Sequence, residues 1–155
     1  MDLIIARALH ILAIVAWIGG VGFVTTALLP AIRRSTPPMG RLGAFVQFES
    51  RFAPQARVWV AIAGLSGLYL IVRLGLWDRF ASAHFWWMHG MVGLWLIFAA
   101  MLFVLEPLVL HRKLKAAIGT PAGEVLFERM QRLHRALFGI AVIVILGAVA
   151  GSHGL

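Results

Sequence analysis

Four long stretches of almost unbroken apolar side chains, parted by short basic or polar segments, set the pattern of this chain. They cover about residues 3–29, 52–77, 84–110 and 133–151. Each is long enough to cross about 30 Å of hydrocarbon, which takes ~20 helical residues. The pattern therefore predicts an all-α fold, a transmembrane four-helix bundle forming a single domain over residues 1–155. The first run is expected to stop at Pro30, and residues 33–43, with Pro37, Pro38 and Gly40, read as a polar connector. Residues 111–123 form a second connector, basic at first and then broken at Gly119, Thr120 and Pro121; residues 124–135 read as an amphipathic helical approach to the last span. The first run is too long for the apolar core of a signal peptide and is expected to remain as a span.

Composition agrees with a lipid environment. Hydrophobic residues make up 61% of the chain and charged residues only 13%, too little charge to jacket a soluble core of this size. The formal charge of +8 does not point to nucleic acid, because the basic residues gather between the apolar runs, where they act as topology determinants and headgroup contacts. Arg33, Arg34, Arg41 and Arg51 follow the first run; Arg112, Lys113, Lys115, Arg129, Arg132 and Arg135 follow the third. The turn between the second and third runs offers only Arg79, opposed by Asp78. The positive-inside rule then puts both basic connectors in the cytoplasm and both termini outside. Trp77, Trp86 and Trp87 fall at the outer interface, where they read as an aromatic belt. The absence of cysteine excludes disulfides, thiolate catalysis and cysteine-ligated metal centres.

Two histidines carry the candidate chemistry. His10 lies ~10 Å below the start of the first span and His89 ~7–8 Å below the start of the third. Both spans begin outside, so the imidazoles share a leaflet and a depth, and facing helices of a bundle commonly build cofactor sites this way. An ionisable group inside the membrane is a functional candidate by default, and two imidazoles make axial ligands for a haem iron or ligands for another metal. Arg7 and Arg73 stand at similar height, suited to pairing with the two propionates of a haem; Trp17 lies two turns below His10. Gly19, Gly20, Gly22, Gly64, Gly67, Gly90 and Gly93 either let helices pack closely or leave a slot for a porphyrin. His111 and His134 sit at the cytoplasmic boundary and His84 and His153 at the outer one, where solvated roles are the plainer reading. Glu106 calls for a cationic partner, and an arginine from the cytoplasmic side is the expected one.

The run Arg7-Ala8-Leu9-His10-Ile11-Leu12, followed by Trp17-Ile18-Gly19-Gly20, resembles the opening helix of the CopD-like and HemJ-like superfamily of small bacterial membrane proteins. The likeness continues in Phe48-Glu49-Ser50-Arg51 and in Trp87-Met88-His89, through four helices in the same order. It implies a bacterial inner (cytoplasmic) membrane location with periplasmic termini. HemJ-type proteins bind haem b and oxidise protoporphyrinogen, with an essential histidine matching His10. Their third-helix histidine is followed two positions later by lysine; here Met91 stands there, and Ala136-Leu137-Phe138-Gly139 occupies the place of a polar segment, so porphyrinogen oxidation is not the expected activity. CopD-like proteins are associated with copper uptake or resistance, and Met88, His89 and Met91 are soft-metal ligands by type.

The leading expectation is a haem b protein with His10 and His89 as axial ligands and a redox role in the membrane. The alternatives are a copper-handling protein using the same histidines and an accessory subunit without a cofactor. Quinone, a periplasmic cytochrome or a porphyrinogen are the redox partners such a protein would meet, beside membrane lipid. Gly147 and Gly151 form a small-xxx-small pair suited to a homo-oligomer contact.

Overall fold

The computed structural model describes residues 1–153, apart from the side chains of residues 109–111. Among these residues there is no strand. Helix α1 (Asp2–Phe23) and helix α2 (Leu29–Ser35) form one rod, joined by a π-helical turn, Val24–Leu28. The rod does not stop at Pro30. A proline removes one backbone donor and crowds the carbonyl a turn earlier, and a wider turn beside it relieves both. The hydroxyls of Thr25 and Thr26 donate to the Val21 and Gly22 carbonyls at 2.7 Å within this stretch. The break falls instead at Thr36, which is extended, and Pro38 opens helix α3 (Pro38–Leu74) at once. Most of the expected polar connector is therefore helical.

Helix α3 ends where Gly75 takes the left-handed conformation at φ 63°. Two 3₁₀ turns, Leu76–Ala81 and Ala83–Phe85, lead into helix α4 (Trp86–Ala99). A π-helical stretch, Ala100–Leu110, continues α4 into helix α5 (His111–Ala117). Gly119, at φ 76°, turns the chain, and the Thr120 side chain accepts from the Gly123 N–H at 3.3 Å to cap helix α6 (Pro121–Ser152). Among the described residues, four helices are long and apolar enough to cross a membrane: Asp2–Ser35, Pro38–Leu74, Ala83–Leu108 and Pro121–Ser152. Their outward faces carry bare side chains such as Ile4, Leu65, Leu108 and Leu146, an apolar jacket consistent with contact to lipid.

The interior has two centres. One, around Ala13, Trp17, Val60, Leu94 and Ala141, fills the middle of the bundle. The other joins Leu29, Leu42, Phe45, Leu114 and Phe127 at the end bearing the basic connections, where Arg41 also pairs with Glu124. Lipid tails are as apolar as leucine, so close packing rather than water exclusion holds the helices together. Aromatic rings seated on glycines supply it. Trp95 lies on Gly64 and donates to the Val60 carbonyl at 2.8 Å; Phe52 lies on Gly20. Trp86 and Trp87 of α4 lie on Gly147 and Gly151 of α6. The small-residue pair of the last span is thus occupied within the chain. Trp87 is only 7% exposed, whereas Trp77 and Trp86, at 56% and 47%, remain outward as belt residues do.

One polar interaction crosses the spans in mid-chain. In a π-helical ladder the carbonyl of Leu102 would accept from the amide five residues on, which is Pro107 and has no hydrogen. Arg57 of α3 fills this gap, donating Nε–H to the Leu102 carbonyl at 2.9 Å, while its Nη2 meets the Glu106 carboxylate at 3.1 Å. Glu106 thus has the arginine partner it requires. Arg57→Met should destabilise the protein by about 3 kcal/mol, because it strands a carboxylate in an apolar setting. Thermal unfolding in detergent checks this; Arg57→Met combined with Glu106→Leu should recover part of the loss, and no recovery would argue against charge pairing as the cause.

Candidate functional site

Residues Ala6, His10, Ala13 and Trp17 form one stripe along α1, and the alanines and Trp17 are buried against neighbouring helices. This stripe turns the half-buried His10 toward α3. Its Nδ1 lies 3.0 Å from the Ala63 carbonyl and 3.1 Å from Ser66 Oγ. A carbonyl can only accept, so Nδ1 carries the proton; Ser66 spends its own hydroxyl proton on the Ile62 carbonyl and accepts the second branch. The consequence is a fixed tautomer with the lone pair on Nε2. This is the state in which an imidazole binds a metal, with its other nitrogen oriented by a carbonyl. Gly67 makes the room: a Cβ there would come within 2.9 Å of the His10 Cε1.

His89 has different surroundings. It is exposed, its Nε2 bonds the Phe80 carbonyl at 3.1 Å, and its ring stands edge-on to Phe80. Both histidines lie at the end of the bundle that holds the termini, but α1 packs chiefly on α3 and α4 chiefly on α6. The imidazoles thus hold on to different elements, and in this structure Nε2 of His89 is spent on the turn before α4. Met88 is buried at 7% exposure whereas His89, about 100° further round the helix, is exposed, so these neighbours do not present ligands to one point.

The two arginines also differ. Arg7 is exposed and, among the described residues, makes no hydrogen bond or ion pair. Arg73 is held by Asp2, Nη2 to Oδ2 at 2.8 Å, and the Tyr69 hydroxyl donates to the same oxygen at 2.8 Å. Asp2 thereby ties the start of α1 to the end of α3. Trp17 sits deeper, 5% exposed, edge-on to Phe98 at 5.0 Å, and its Nε1–H has no partner. Most glycine notches named for a porphyrin slot hold side chains, Trp95 on Gly64 and Val144 on Gly90 among them; Gly19 and Gly93 face open space.

The remaining histidines divide. His84 is exposed beside Phe85 and Trp87, and His153 bonds the carbonyl of Val149 at the end of α6. His134 is half-buried, edge-on to Phe45, with Nδ1–H donating to the Met130 carbonyl at 2.9 Å, so it turns inward rather than standing solvated. The side chain of His111 lies outside the described residues. Among the described residues no three His, Cys, Asp or Glu side chains gather as a metal-binding group. Sequence reasoning missed Ser66 and Arg57, although each is a polar residue inside an apolar run and so signals a need for a partner. No protein-family model, curated protein or solved structure matches the chain.

Proposed function

We propose that the protein is a haem b-binding, multi-pass protein of the bacterial cytoplasmic membrane with a role in electron transfer. The observation that carries this reading is His10, an intramembrane imidazole locked as the Nδ1–H tautomer by Ala63 and Ser66 with Nε2 left unprotonated. The resemblance of the first span to the HemJ-like and CopD-like opening helix supports the same residue. His10 fits an axial ligand as it stands. His89 would supply the second ligand on exchanging the Phe80 carbonyl for iron, a change open to an exposed side chain in the first turn of α4. Arg7 is available to a propionate, and Arg73 is available in competition with Asp2. The bound haem would supply one-electron chemistry; Ser66 and the Ala63 carbonyl would fix the angle of the His10 ring. The basic residues around 33–51 and 112–135 favour the cytoplasm for that end of the bundle, with both termini periplasmic.

Absorption spectra test the assignment. Wild-type protein from haem-sufficient cells is expected to show a Soret band, with sharp α and β bands on reduction. His10→Ala should lose them, and Ser66→Ala should weaken haem retention about tenfold by loosening the ring. His89→Ala should abolish the six-coordinate form, whereas His84→Ala and His153→Ala should leave the spectrum intact. A full spectrum in His10→Ala would overturn the proposal. Reporter fusions at residues 36–37 and 118–120 should score cytoplasmic; a periplasmic score would reverse the orientation.

A further inference from the structure

A cavity of about 100 Å³ lies between the spans, toward the end with the basic connections. It is separate from the surroundings of His10. Its wall is mostly aromatic and aliphatic, with Phe45, Phe52 and Phe98 among the lining residues, and only Trp17, Glu49 and His134 bring hydrogen-bonding groups to it. The indole N–H of Trp17 is a buried donor with no partner. Glu49 makes no hydrogen bond or ion pair among the described residues. His134 uses Nδ1–H on the Met130 carbonyl, which leaves Nε2 as an acceptor. Three unfilled polar groups from α1, α3 and α6 thus meet in one apolar chamber.

The volume is about two-thirds of the ~150 Å³ of a cavity that takes benzene, so the chamber admits one small ring with a slight outward shift of its walls, and it is far below what a porphyrin needs. Water fills such a chamber poorly, since each molecule seeks two to four polar partners and the walls are mainly hydrocarbon. A flat ring bearing two oxygens meets both demands, with an apolar body for the hydrocarbon wall and oxygens for the three polar groups. The balance of donors is informative. Trp17 Nε1–H donates, His134 Nε2 accepts, and the Glu49 carboxyl, which takes up a proton in so apolar a setting without a cation, does either; two hydroxyls, which donate and accept, satisfy all three. A ring with two carbonyls would leave the His134 Nε2 acceptor unfilled. We propose that this cavity binds the dihydroxy ring of a lipid-soluble quinol, in preference to its oxidised quinone. Leu133 on the cavity wall is 42% exposed on the outward face, which offers an exit for a prenyl tail toward lipid.

Photolabelling of the intact protein in detergent tests this. The probe is a short-chain hydroquinone carrying an alkyl diazirine, with labelled peptides mapped by mass spectrometry. Labelling is expected to saturate and to fall on peptides holding Trp17, Glu49 or His134. Decyl hydroquinone should compete at a concentration at least tenfold lower than its dimethyl ether or the oxidised quinone. Trp17→Phe, which keeps a ring and removes the N–H, should weaken competition about tenfold. Ala56→Phe, which fills the chamber, should abolish labelling; helical circular dichroism checks that both variants fold. Labelling that does not saturate, that maps elsewhere, or that responds equally to all three competitors would overturn the proposal. Binding is read directly, so the outcome does not depend on whether His10 holds haem.

Discussion

The Arg57 guanidinium, shared between the Leu102 carbonyl and the Glu106 carboxylate, is the constraint on which the arrangement of the spans depends. Hydrocarbon supplies no hydrogen bonds, so a proline in a spanning helix creates a debt that a neighbour must meet. Pro107 leaves the Leu102 carbonyl without its donor. Arg57 meets that need and in doing so brings a charge into the bundle, which Glu106 neutralises. The three groups make sense only together, and they fix the register of α3 against the segment that continues α4. Trp95 repeats the theme about one turn along α3, donating to Val60 across the Gly64 notch.

With that register set, α3 becomes the element that organises polar chemistry on both sides. Toward the termini it presents Ala63, Ser66 and Gly67 to His10 and ties Arg73 to Asp2. Toward the basic end it places Glu49 beside the chamber that Trp17 and His134 also line. Among the described residues, the apolar helices hold two half-buried imidazoles, His10 and His134, each pinned at Nδ1 by a backbone carbonyl and each with Nε2 unspent. A pinned imidazole costs little further entropy on binding, which is the form preorganisation takes here.

The four long apolar helices were legible because length and hydropathy decide what is able to cross a bilayer, and the break at Gly119 because a positive φ favours glycine; the left-handed Gly75 that ends α3 fell inside the run read as 52–77. Pro30 misled the sequence reading: its local rule is to break a helix, and the neighbouring π turn cancels that rule. The face of each helix was less legible. His10 meets residues more than fifty positions away, and periodicity within one apolar run cannot say which neighbour it will face. Matched depth suggested that His10 and His89 face one another, yet depth leaves rotation about each helix axis free, and the structure turns them toward α3 and Phe80. Trp87 was read from its position at a span end, which cannot register the notch that Gly151 opens on another helix.

The central claim is that His10 is an axial ligand, held ready by Ala63 and Ser66. The most direct measurement is the haem stoichiometry of the purified protein by pyridine haemochrome assay, after expression with added haem precursor. The account predicts about one haem b per chain, retained through gel filtration. Protein that elutes folded and free of haem under those conditions would contradict it.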